Sequence, residues 1–299
     1  MNISSPPPAI EINSRETQQQ LDSKMIKGLM ERGLKLPPQP RVVDELQKCQ
    51  RRQERNVRVV ARIISQDAGI TAMLFRAVES PVYRHHRPFV SVEKIVQALG
   101  IDQVVNIVQA IALATAGNAR THRKIYERFW ANSTAIAQLA MLVAEDLVSV
   151  CNIFPDQAYL AGVFHDCGVP LLMERFPTYC QAAAPLDQQA TWFGLTDEDR
   201  KYQTDHAVVG YFVAKHWKLP DFICDAIRFH HDLLRLEDHS ARTMVAILQM
   251  AFHLYCRSLY IENPEWPHTS ATVLYELGMD EITAQEFMDE MLDRYNAVQ

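Results

Sequence analysis

The sequence predicts an all-α fold, a compact multi-helix bundle, and three observations carry that expectation. Apolar residues recur at three-to-four spacing in segment after segment, the mark of helices with one buried face. Glycine is scarce, 10 in 299 residues, and neither Asn-Gly nor Asp-Gly occurs, so the commonest hairpin turns are missing. Hydrophobic residues make up 48% of the chain and charged residues 22%. That is the balance of a globular protein large enough to build its core without disulfide or metal staples.

From the N-terminus, residues 1–20 (MNISSPPPAIEINSRETQQQ) are poor in large apolar side chains and read as a disordered tail. A helical domain is expected over 21–261, with C-terminal helices over 262–299 packed on it or extending it. Breaks are expected at LPPQP (36–40), SPVYRHHRP (80–88) and ENPEWPHTS (262–270), because proline removes a backbone donor and restricts the residue before it. Val59, Val60, Ile63 and Ile64 form one apolar stripe. Ile70, Met73, Leu74 and Ala77 form the next, with Asp67 placed to cap it. Ile95, Val96 and Leu99 form a third, which Gly100 ends. Asp102 is placed to cap IDQVVNIVQAIALATA, a helix apolar on most of its surface and therefore expected at the centre. Residues 123–147 read as one long helix. Pro155 and Asp156 open another, expected to run through YLAGVFHDCGVPLLMERF. Further helices are expected over about 196–217, 220–231, 241–260 and 280–296.

The net charge of −6 shows none of the basic excess of a nucleic-acid-binding surface, so no nucleic-acid partner is expected. The residues Arg84, His85, His86 and Arg87 make one local basic loop. No apolar run approaches the roughly 20 residues of a membrane span, and the N-terminus lacks a secretory pattern. No membrane association is expected. Six cysteines (Cys49, Cys151, Cys167, Cys180, Cys224, Cys256) are scattered without a CxxC pair. They read as reduced structural thiols of a cytoplasmic protein. No Walker loop and no GxSxG elbow is present.

The histidines carry the chemistry. Three of the 11 precede residue 130 and eight follow it. Among the eight are the pair His165-Asp166, then His206 after Asp205, then the doublet His230-His231. Imidazole nitrogen and carboxylate oxygen together form the donor set of a divalent metal. Such an ion lowers the pKa of bound water and polarises phosphoryl groups. The plainer alternatives are a buried His165–Asp166 pair and a histidine doublet at a helix C-terminus, where the dipole favours a cation. For His231 the helix-end reading is preferred to metal contact, since adjacent helical residues diverge by about 100°, yet it stays in the candidate metal set of His165, Asp166, His206, His230 and His231.

The order HD, then DHAVVGYFVAKHWKLP (205–220), then HH resembles the HD superfamily, and more closely its HDOD branch. LPPQP, IISQDAGITAMLFRAVESPVY, SVEKIVQALG and FWANSTAIAQLA resemble further stretches of that branch, so the likeness extends over roughly residues 30–260. The resemblance implies a helical bundle of HD-domain type. It implies metal ligation by Asp166, His206 and His230 or His231, with His165 nearby. Two positions depart from the pattern of active HD phosphohydrolases. Asn132 stands where a histidine is implied and Phe252 where the last aspartate is implied, and neither side chain replaces a metal ligand. The resemblance therefore implies a degenerate site that holds at most one divalent ion (Fe, Mn, Zn or Mg), with an ion-free vestige preferred. The function implied is non-catalytic bacterial signal transduction, through a signalling protein or small ligand. A metal-dependent phosphohydrolase acting on a nucleotide or cyclic dinucleotide is the alternative.

Overall fold

The structure is a computed structural model that describes residues 15–31, 33–78, 89–116, 123–176, 178–179 and 195–297. The helices are α1 (Arg15–Glu31), α2 (Arg41–Arg51), α3 (Val57–Ser65), α4 (Ala68–Val78), α5 (Val92–Leu99), α6 (Ile101–Ala116), α7 (Arg123–Cys151) and α8 (Pro155–Phe164). They continue with α9 (Gly168–Arg175), α10 (Leu195–Tyr202), α11 (His206–His216), α12 (Asp221–Arg228), α13 (His239–Ser258), α14 (Trp266–Glu276) and α15 (Glu281–Asn296). A 3₁₀ turn at Leu233–Arg235 precedes α13. Among the described residues there is no β-strand, and the all-α expectation holds.

Local chemistry sets many of these ends. Asn56 caps α3, Asp67 caps α4, Ser91 caps α5, Asp205 caps α11, Asp238 caps α13 and Asp280 caps α15, each accepting a first-turn amide. Asp102 lies inside the first turn of α6 rather than capping it, and its carboxylate pairs with Arg55 at 2.5 Å.

α2 to α5 gather around α6, which packs on α8. The helix α8 is buried from Ala158 to Phe164 on every face, and it contacts α6, α7, α12 and α13. The central position expected for α6 is therefore shared with α8. Close approach of α7 and α8 requires Gly162, where a Cβ would lie 2.5 Å from Ala137 Cα. The segment LPPQP is anchored across the molecule. Trp217, fully buried at the end of α11, donates its indole N–H to the Pro37 carbonyl at 3.1 Å, and its own carbonyl accepts from Gln47 at 2.7 Å. Burying that indole contributes on the order of 2–3 kcal/mol.

Four expectations are corrected. Helix α1 begins at Arg15, so residues 15–20 of the expected tail are helical, as their Gln, Glu and Arg content allows. Residues 1–14 and the Arg84–Arg87 loop lie outside the described residues. The single helix expected through the HD pair is two, α8 and α9, joined by a turn at 165–167. The stretch 196–217 also divides, because Asp205 caps a new helix and Gln203 adopts a left-handed φ of 57°. The break at 262–270 ends at Glu265, and Pro267 sits in the first turn of α14, where its missing N–H costs nothing.

Among the described residues, one helix, Lys124–Cys151, is long and apolar enough to cross a membrane by length and composition, although charged residues interrupt it. Half of its most apolar window is buried in the protein, where it packs on α8, α13 and α15.

Candidate metal centre

Helix ends, not helix faces, deliver the site. His165 and Asp166 occupy the turn between α8 and α9. His206 is the first residue of α11, and His230 and His231 occupy the turn after α12. Gly168 lets these pieces meet: a Cβ there would lie 2.1 Å from the His206 carbonyl oxygen and 2.9 Å from the Gly210 amide. The chain leaves the helix at Arg228, so the 100° divergence of adjacent helical residues does not apply to the doublet. Both rings turn inward, with centroids 4.0 Å apart. The His231 ring therefore faces the other donors instead of lying at a helix end.

One ligand atom from each of Asp166, His206, His230 and His231 falls in a cluster whose members all lie within 4.8 Å of one another. Asp166 Oδ1 is 3.3 Å from His206 Nε2 and 3.3 Å from His230 Nε2, and His206 Nε2 is 3.1 Å from His231 Nε2. An ideal tetrahedron of donors about 2.0–2.1 Å from zinc has edges of about 3.3 Å. The three separations match that figure.

The outer contacts fix which nitrogen faces inward. His206 Nδ1–H donates to Glu198 Oε2 at 2.8 Å, and His231 Nδ1–H donates to Glu265 Oε1 at 2.8 Å. His230 Nδ1–H donates to the Ile227 carbonyl at 2.7 Å. Carboxylate and carbonyl oxygens only accept, so each Nδ1 carries the hydrogen and each Nε2 is turned inward. Metal-bound histidines are held by the same kind of outer partner. His230 Nε2 is buried and has no hydrogen-bond partner, a cost that a cation would remove.

His165 stands beside the cluster. It donates Nδ1–H to the Gly162 carbonyl at 2.6 Å and faces Asp166 Oδ2 with Nε2 at 3.1 Å. Burial opposes its charge, but Asp166 outweighs burial and raises its pKa. Burial alone would raise the Asp166 pKa. His165 first, with His206 beside it, holds it well below the carboxylate range. Burial likewise opposes charge on His206, yet Glu198 and then Asp166 lift it to about 9. His230 is pushed down to about 3, by burial first and by His231 second. A proton on His206 thus sits where a cation would sit, and a cation would displace it.

Two carboxylates in this centre escaped the sequence reading. Glu198 is fully buried and accepts from Tyr179 Oη at 2.5 Å, from the His206 amide at 2.7 Å and from the His206 ring. Glu265 reaches in from the loop before α14. A glutamate eight residues before His206 was the available signal for the first, and nothing local marked the second. Asn132 on α7 and Phe252 on α13 are both half-buried and do not belong to the donor cluster. Cys167 is a buried thiol whose pKa burial pushes far up, the inert packing residue expected of it.

A sequence model of the HDOD domain matches residues 36–233. The chain belongs to the HDOD domain family. An HDOD domain protein from Geobacter sulfurreducens is 24% identical, with a TM-score of 0.68 over 94% of this chain and 98% of that one. A candidate phosphohydrolase from Shewanella amazonensis SB2B is 20% identical, with a TM-score of 0.67 over 91% of this chain and 95% of that one. At these identities the likeness is one of fold. A curated relative, an uncharacterized protein from Treponema pallidum (strain Nichols), is 19% identical over 227 residues, which are 76% of this chain and 42% of that protein. The chain therefore spans less than half the length of that relative. Within the HDOD chain, the donors Asp166, His206, His230 and His231 all fall inside the matched span, whereas Glu265 lies beyond it.

Proposed function

We propose that this HDOD chain is a non-catalytic regulatory module of bacterial signal transduction, acting through a protein partner or small ligand, with a single divalent cation closing its centre. The observation that carries the reading is the inward convergence of three Nε2 atoms and one carboxylate oxygen within 4.8 Å of one another, three of their separations lying at 3.1–3.3 Å. Three imidazoles and one carboxylate suit zinc or iron better than manganese or magnesium, which favour octahedra of oxygens. A bound ion would supply Lewis acidity and positive charge. Four protein donors fill a tetrahedron, whereas catalytic zinc sites keep a position open for water. Asn132 and Phe252, at the positions where the family pattern implies further ligands, leave no evident second ion for a two-metal clamp.

The competing reading is a metal-dependent phosphohydrolase, favoured by the intact four-donor set. Metal analysis of the full chain after loading with zinc, iron or manganese, paired with phosphodiesterase and phosphomonoesterase assays, separates the two. One cation per chain, lost in Asp166→Ala, and no turnover is the expected result. Turnover that Asp166→Ala abolishes would overturn the regulatory reading.

A further inference from the structure

The three histidines of the centre are not equally constrained. The side chains of His206 and His230 are 2% and 6% exposed, and their outer partners are Glu198 and a backbone carbonyl of the same turn. The His231 side chain is 24% exposed, and its outer partner is Glu265, 34 residues away. Its orientation therefore depends most on one remote acceptor.

Glu265 is itself held in place. Asn263, buried in the loop after α13, accepts the Glu265 amide at 3.0 Å and the Trp266 amide at 3.3 Å. The next residue, Trp266, stacks flat on His253 of α13, with centroids 4.0 Å apart and planes 6° apart. The segment is tied down further along by Arg242 and Thr243 on Glu276 and by Arg257 on Asp289. The contacts of His253, Arg242, Thr243 and Arg257 fasten this segment to α13, and both lie beyond the matched span of the family.

We infer that Glu265 is a positioning residue for the cation centre, so that docking of the C-terminal segment 262–296 and cation binding are linked. The inference rests on the single-cation reading above. Glu265 fixes the Nδ1–H tautomer of His231 and aims its Nε2 at His206. Loss of such an outer partner costs about 10- to 100-fold in metal affinity. Linkage is reciprocal, so the cation in turn steadies the docked segment.

The test uses the full chain, stripped with chelator and titrated with Zn²⁺ alone and with Co²⁺ alone. Glu265→Ala is expected to weaken Zn²⁺ binding about 10- to 100-fold. Glu265→Gln keeps an oxygen acceptor and is expected to restore affinity to within a few-fold. The visible Co²⁺ band should match wild type in Glu265→Gln and shift in Glu265→Ala. In the wild-type chain, Zn²⁺ should slow amide exchange across Trp266–Glu276, an effect lost in Glu265→Ala. Zinc affinity in Glu265→Ala within twofold of wild type, with an unchanged cobalt spectrum, overturns the inference. So does zinc that leaves exchange across that helix unaltered in the wild-type chain, a measurement independent of whether the variant folds. A wild-type chain that binds neither ion fails at the earlier step, the single-cation reading, and is recognised by that.

Discussion

The α2–α6 lobe and the half of the chain after residue 150 bury different things. Around α6 the buried residues are aliphatic, with Gln47 and Gln109 the buried polar side chains among those described. Charges in that lobe pair in the open: Arg41 with Glu45, Arg55 with Asp102, and Arg58 with Glu93. After residue 150 the buried set includes His165, Glu198, Asp205, His206, Asp225, Arg228 and His230. Burying such groups is costly unless each is paired. A fold that accepts that cost in one half and avoids it in the other concentrates its chemistry in the first. The lesson is that charge burial, more than helix content, locates function in this bundle.

The comparison breaks most sharply at Gly168. An added Cβ would strike the backbone of α11 rather than a side chain that can move away. Gly168→Ala is therefore expected to destabilise by about 3 kcal/mol or more and to weaken zinc binding together with stability. Denaturant unfolding and zinc titration of the same variant measure both. A stable variant with intact zinc affinity would show that the turns of the centre are not held by this close approach.

A smaller effect tests whether buried charge matters away from the centre. Glu276 is nearly enclosed and accepts from Arg242 and Thr243. Glu276→Ala is expected to cost about 2 kcal/mol. Burial would raise the Glu276 pKa, but these bonds outweigh it and hold it below the ordinary value. A depressed carboxylate stabilises the fold above its unfolded-state pKa. That contribution begins to be lost below about pH 5 and disappears as pH falls through the folded-state value. Urea unfolding from pH 7 to pH 3 should show the wild-type advantage over Glu276→Ala shrinking on the acid side. An advantage constant across that range would mean the carboxylate is not the source.

The smallest expected effect belongs to the α2–α6 lobe. Arg55→Ala removes an exposed pair with Asp102 and is expected to change stability by no more than about 0.5 kcal/mol, with zinc binding unaltered. A loss above 2 kcal/mol in thermal unfolding would erase the contrast between the two regions.

The sequence by itself determined the helical class, most helix positions, the cap at Asp67, the stop at Gly100 and the residue types of the centre. Each is written in local periodicity, in capping side chains or in a motif read along the chain. The tertiary structure alone decided that both rings of the doublet turn inward together, because the helix ends at Arg228 instead of running through it. It also decided that the HD pair lies in a turn, since Gly168 packs against α11 at a distance that no local signal encodes. Glu265 became legible only there too. A glutamate looks the same on paper whether it faces water or orients a buried imidazole, and only the packing of remote segments distinguishes the two.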